Sequence, residues 1–198
     1  QTCALPIFYK QGEGGNNMTN IITKLRKNFP NLNIHVMNQS DSNEITSEMY
    51  DIGFIGTTTP PIDSIATLLG ELNMHIYGNK DYFKKVKNID DFEWVTYKRK
   101  DQADTNFVVN SFFQNPNIII SSDSYQDAHA FVSSGNGVTF LTDLDGDSDS
   151  RLEVFRREEY AFKIGFYLIQ HELSRSNPIV RAVKQTILED IEIGRAHV

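Results

Sequence analysis

The 198 residues carry 19 basic and 26 acidic side chains, a formal net charge of −7, 39% hydrophobic residues and a single cysteine. A net negative chain without a basic run is a poor nucleic-acid binder by itself, and one cysteine excludes a disulfide framework and a cysteine-ligated metal. No apolar run reaches the roughly 18 residues of a membrane-spanning helix, and the length suits one ordinary domain or two small lobes.

In chain order, the apolar residues Met18, Ile21, Ile22, Leu25 and Phe29 follow the spacing of one helical face, with Asn16 or Asn17 as N-cap and Pro30 closing the pattern. "NIHVM" alternates as a strand, and "DIGFIG" reads as a second, more deeply buried one. "LNMHIY", "EWVTY", "NIIIS", "GVTFL" and "KIGFYLI" are further strands. Helices are predicted over 103–114 and 125–134, and after Pro178, where Ile179, Val180, Val183, Ile187 and Ile191 recur. Strands alternating with helices predict parallel sheets covered on both faces.

The two ends fit no such pattern. Residues 2–7, "TCALPI", can be encoded acg tgt gct ctt ccg atc, and residues 193–198, "IGRAHV", can be encoded atc gga aga gca cac gtc. The two strings are reverse complements over almost their whole length, as in a fragment flanked by one sequencing adapter. Residues 1–7 and 193–198 are therefore expected to be translated adapter, and the protein proper to run from Phe8 to Glu192. Cys3 lies in the leader, which removes thiolate catalysis as well.

"DLDGDSDS" (143–150) has the acidic density of a calcium loop, but the required Gly and closing Glu do not both fall in place from any starting Asp. It reads as an exposed acidic loop. "YKQGEGGNN" sets Gly12, Gly14 and Gly15 between a strand and a helix, yet Asn17 occupies the third glycine position of a dinucleotide fingerprint. Either a plain turn or an anion loop at a helix N-terminus fits it. Thr57, Thr58 and Thr59 follow the carboxyl end of a buried strand, the edge where open α/β sheets bind ligands, and Ser121 to Ser124 repeat the arrangement before a helix. Taken alone, each of these is more often a helix cap than a ligand contact. There is no G-x-S-x-G, H-E-x-x-H or P-loop motif, and His35, His75, His129 and His171 are scattered singly, so no catalytic or metal residue is predicted.

The ordered set "LRKNFPNLNIHV", "MYDIGFIG", "LNMHIYGNKDYF", "NIDDFEWVTY", "AFVSSGNGVTFLTD" and "SNPIVRAVKQTI" resembles the effector-binding domain of LysR-type transcriptional regulators over essentially all of 8–192. The resemblance implies an α/β fold of the type 2 periplasmic-binding-protein kind: two Rossmann-like lobes, two crossover strands and a small-molecule cleft between them. It places lobe I at 8–93 plus 165–192 and lobe II at 94–164. The implied effector site comprises Gly14, Gly15, Asn16 and Asn17 at the first helix, Thr57 and Thr58, Thr96 and Tyr97 at the crossover, Ser122, Asp123 and Ser124, and Gly135, Asn136, Gly137 and Val138.

The family also implies a cytoplasmic homodimer or homotetramer, pairing through residues 21–29 and 33–37, with no cofactor and no membrane. Its DNA binding would come only from an N-terminal helix-turn-helix missing here. Three departures stand out: a short stretch between "HVM" and "MYD", no Gly before the Asp strand, and "FLTD" in place of the usual Leu-Pro. An extracytoplasmic solute-binding protein would share fold and cleft. An enzyme on this scaffold would need convergent acid, base or nucleophile residues, and none is found.

Overall fold

The computed structural model describes residues 3–9, 15–37, 51–60, 64–97 and 105–195. Helix α1 (Gly15–Asn28) buries Ile21 and Leu25, with Ile22 and Phe29 packed beside them. The Phe29 N–H still donates to Leu25 O at 2.8 Å, and Pro30, which has no N–H to give, ends the ladder. Because the helix opens at Gly15, Asn16 and Asn17 lie within its first turn instead of capping it.

The other elements are strands β1 (Cys3–Tyr9), β2 (Leu32–Met37), β3 (Ile52–Thr57) and β4 (Ser64–Asn79), then α2 (Lys80–Lys85), a 3-10 turn at Ile89–Asp91, β5 (Glu93–Tyr97) and α3 (Thr105–Phe112). The chain continues with β6 (Asn117–Ser122), α4 (Tyr125–Ser133), β7 (Val138–Thr142), α5 (Asp143–Ser148), β8 (Leu152–Val154) and β9 (Ala161–His171). A second 3-10 turn (Glu172–Ser176) leads to α6 (Pro178–Arg195). Pro178 takes the first helical position, where its missing N–H costs nothing, and Asn177 Oδ1 accepts the Ile179 N–H at 2.9 Å.

The strands form one sheet in the order β2-β1-β3-β9-β4-β7-β5-β6, with β8 pairing β4. The sheet is mixed: the parallel strands expected from the alternation of strands and helices fall into two groups, and an antiparallel pair joins them. Parallel pairings join β1 to β2 and β3, and β5 to β6 and β7. Between these two groups lies the antiparallel pair β4 and β9, paired from Ser64↔His171 to His75↔Ala161 with a register shift between Leu68 and Gly70. These two long strands are the crossover: β9 also joins β3, and β4 also joins β7.

Three further expectations are corrected. Residues 3–7, read as belonging to no element, are most of β1, because their backbone pairs in parallel with β2 from Cys3↔Leu32 to Ile7↔Val36. Likewise α6 runs on to Arg195, past the end expected at Glu192. The acidic stretch 143–148 is helix α5 and not a loop, since Thr142 caps it by accepting the Asp145 N–H.

The core divides into three apolar clusters. Helices α1 and α6 pack Ile21, Leu25, Val180, Val183 and Ile187 against Ile52 and Phe54 of β3. Either side of β4, β5 and β7, strand alternation sends Ile76, Trp94, Val138 and Phe140 to one face and Tyr77, Val95, Tyr97 and Leu141 to the other. The second face is covered by Tyr125, Ala128 and Val132 of α4.

Candidate functional site

Parallel strands put their carboxyl ends on one edge, and the register shows what gathers there. In the first group β3 ends at Thr57, which pairs with Gly165 of β9, itself opposite Glu71 of β4. In the second, Tyr97 pairs with Ser122, while Thr142 at the end of β7 lies opposite Met74 of β4. Both carboxyl edges therefore abut the same stretch of the crossover, residues 71–74 and 162–165.

Most of the predicted hydroxyls at these edges have internal work. Thr57 is fully buried; its Oγ1 donates to Thr59 O at 2.7 Å and accepts the Thr59 N–H at 3.0 Å, leaving Thr58 and Thr59 as the exposed threonines of the turn. Thr96 is equally buried, with Oγ1 2.9 Å from Ser121 Oγ. The Tyr97 ring lies in the core, where its hydroxyl donates to Phe140 O at 3.1 Å and burial raises its pKa, so only its backbone borders the edge. Ser122 Oγ accepts the Ser124 N–H at 3.1 Å, and Ser124 Oγ caps α4 by accepting the Asp127 N–H at 3.3 Å. Asp123 between them is exposed.

Gly135, Asn136, Gly137 and Val138 do not share this edge. Val138 pairs with Trp94, three residues before Tyr97, which places it about 10 Å down the strand at some 3.3 Å per residue. Gly135 and Gly137 have φ of 92° and 78° and turn the chain out of α4, where the Gly135 N–H donates to Val132 O at 2.9 Å. Of the first-helix residues, Gly14 lies outside the described residues, while Gly15, Asn16 and Asn17 form the start of α1.

The profile of the LysR substrate binding domain matches residues 14–192. The chain belongs to the LysR substrate binding domain family. No curated protein matches it by sequence. Among solved structures it is similar to the CcmR regulatory domain of Synechocystis PCC6803 in complex with 2-PG, at 11% identity and TM-score 0.78 over 95% of this chain and 97% of that one. It is also similar to a variant of the AphB regulatory domain from Vibrio vulnificus, at 12% identity and TM-score 0.73 over 95% of this chain and 98% of that one. A variant of the OxyR2 regulatory domain from the same organism matches at 15% identity and TM-score 0.73 over 95% of each. These likenesses establish the shared fold, and the family makes this an effector-binding regulatory domain.

In this LysR domain the departure at "FLTD" has a structural consequence. Asn73 Nδ2 of the crossover donates to Asp143 Oδ2 at 2.8 Å, tying β4 to the start of α5. Asp145 accepts from Tyr125 Oη and Thr142 Oγ1, both at 2.8 Å, and Asp147 accepts from Tyr77 Oη at 2.7 Å and from Arg157 Nη2 at 2.5 Å. Asp149 takes Arg151 through Nε at 2.9 Å and Nη2 at 2.7 Å, and Ser133 Oγ at 2.8 Å; His129 Nε2 lies 3.3 Å away without hydrogen-bond alignment. The acidic run is thus a clasp whose carboxylates are met by an amide, hydroxyls and cations. The sequence draws attention to Asp143 only as part of the acidic run and to Asn73 not at all; a polar residue inside the apolar run "LNMHIY" is the available signal.

These surroundings set the acid response. Hydrogen bonds from Arg151 hold the Asp149 carboxyl well below the usual carboxylate range. At Asp147, burial works upward, but the bonds from Arg157 and Tyr77 outweigh it and lower the pKa. Asp145 goes the other way: burial raises it against the bonds from Thr142 and Tyr125. The lowered pair contributes stability that is present above the unfolded value of about 4 and lost as pH falls toward the folded values. Asp145 contributes oppositely, losing stability as pH rises from about 4 through its raised value. Asp149→Asn is expected to cost roughly 1–3 kcal/mol at pH 7, and the gap to the parent chain should narrow by pH 3. Urea midpoints at the two pH values check this.

Proposed function

We propose that the domain binds a small anionic metabolite at the carboxyl edges that meet on the crossover, between Thr57–Thr59 on one side and Ser121–Ser124 on the other. The observation that carries this is the placement of two helix starts: α1 begins just after β1, and α4 just after β6. Helix N-termini present free N–H groups and a positive dipole end, and both are suited to a carboxylate or phosphate. Gly14, Gly15, Asn16 and Asn17 would serve the first helix, and Ser122, Asp123 and Ser124 the second. Thr58 supplies an open hydroxyl, and Thr57, Thr96 and Tyr97 shape the edge through their backbone. No catalytic step is assigned.

The two-lobe division is carried forward with a shifted boundary. Leu72, Met74, Phe83 and Phe92 pack in one cluster with Trp94 and Phe140, so residues 72–93, first placed in lobe I, fit better in lobe II. The effector then acts through its differential affinity for two orientations of the lobes about β4 and β9. In the parent regulator that change would reach DNA through an N-terminal domain in a cytoplasmic homodimer or homotetramer. The terminal position of β2 in the sheet, beside α1, supports pairing through that edge.

A panel of carboxylate and phosphate metabolites, screened by thermal melting and followed by calorimetry, tests the reading. An effector at a hundred times its Kd is expected to stabilise by about 2.7 kcal/mol and raise Tm by roughly 5–10 °C. The double variant Thr58→Val with Ser122→Ala should weaken binding about tenfold or more. Full affinity in that variant, or no binder in the panel, would overturn the assignment.

A further inference from the structure

A groove of about 800 Å³ opens at the other end of the sheet, where β4 begins and β9 ends. Its floor is the paired residues Ile65 and Gln170. Gln170 is buried, and its Nε2 is held by Ser174 O at 3.3 Å. One wall is a stripe of α6 at i, i+3, i+4 and i+7: Arg181, Lys184, Gln185 and Leu188. The facing wall is the 3-10 turn, with Glu172, Arg175 and Ser176.

Charge singles this groove out. Three cations line it against one acid, in a chain whose net charge is −7. Arg175 reaches Glu172 only at 3.6 Å, with both side chains largely exposed. Among the described residues no ion pair joins Arg181 or Lys184 to a carboxylate. Nearby Glu189 accepts from Gln185 Nε2 at 3.0 Å. Like charges one helical turn apart repel, so Arg181 and Lys184 side by side on a concave surface favour an anion between the walls.

We propose that this groove is a second ligand site, separate from the strand-edge site, and that it takes a small multivalent anion of the phosphate-ester or polycarboxylate class. Arg181 and Lys184 grip it from α6 and Arg175 from the turn, while the amide of Gln170 and the hydroxyl of Ser176 supply polar contacts. The volume is that of small-molecule sites, which run from about 300 to 1,000 Å³. A bound anion would tie α6 to the segment that ends β9, bracing the first apolar cluster.

The test titrates inorganic pyrophosphate and, separately, citrate into the whole 198-residue chain by calorimetry, with sodium chloride at matched ionic strength as the blank. Saturable one-to-one binding of either anion is expected, weakened about tenfold or more by Arg181→Gln with Lys184→Gln and unchanged by the distant Lys87→Gln. Arg175→Gln alone should also weaken it, which keeps the test open if the double variant folds poorly. Citrate binding alone would place the ligand among polycarboxylates, and pyrophosphate alone among phosphates. No saturable binding, or equal affinity in both sets of variants, overturns the proposal. So would binding of an oligoglutamate peptide but of neither small anion, which would make the groove a peptide surface.

Discussion

Gly137→Ala is expected to destabilise the domain by about 2–5 kcal/mol, combining the cost of a left-handed backbone with that of overpacking. The residue has φ of 78°, and a Cβ built on it would stand 2.2 Å from Glu93 O. That oxygen belongs to the backbone at the start of β5, so no side-chain rotation relieves the clash. Gly135 provides the internal comparison, because its φ is 92° but nothing lies within 4 Å of its Cβ position. Gly135→Ala should therefore show only the conformational cost, about 1–2 kcal/mol. Urea unfolding of the two variants side by side separates strain from collision. If Gly137→Ala is no worse than Gly135→Ala, the close approach of α4's exit to β5 is not what the register implies.

The second large effect belongs to Trp94, the chain's only tryptophan and 1% exposed. Its ring stacks on Phe140 with centroids 5.7 Å apart and lies 5.1 Å from Phe113, so it connects β5 to β7 and to the end of α3. Trp94→Ala should cost about 3–5 kcal/mol, because the rigid aromatic neighbours cannot collapse into the space. At roughly 2–4 °C per kcal/mol for a chain of this size, Tm should fall by about 6–20 °C. Circular dichroism is the readout, since the variant has lost its fluorophore. Trp94→Phe should recover most of the loss. In the parent chain, Trp94 fluorescence should follow unfolding of the cluster that includes Phe92 and Phe140, leaving the α1–α6 cluster to be followed by amide exchange.

Where sequence periodicity and structure agree, the cause of the element is local. Strand β5 occupies the predicted residues, and α4 begins at the predicted Tyr125, because Ser124 supplies its cap within three residues. Strand β4 was legible only in its second half. A register shift between Leu68 and Gly70 breaks the alternation that would have revealed the first half. Helix α5 was misread although its Thr142 cap is local, because two of its carboxylates meet remote partners: Asn73 and Tyr77 each lie 70 positions from the aspartate they meet. Among the site residues, Thr57, Thr58, Thr96, Ser122 and Ser124 could be placed at strand ends from the sequence. That Thr57 and Thr96 are sealed, that Tyr97 faces inward and that Gly135–Val138 sit at the far edge depended on register.

By itself the sequence determined the family, the alternating α/β character and the helical faces that form the first core cluster, since these follow from the spacing of apolar residues and the order of motifs along one chain. Tertiary structure alone decided the mixed sheet, the clasp of α5, which hydroxyls remain open at the carboxyl edges and the cationic groove beside α6. Each of these depends on pairing between segments far apart in the chain, and a one-residue change of register would reverse which face every side chain of a strand presents.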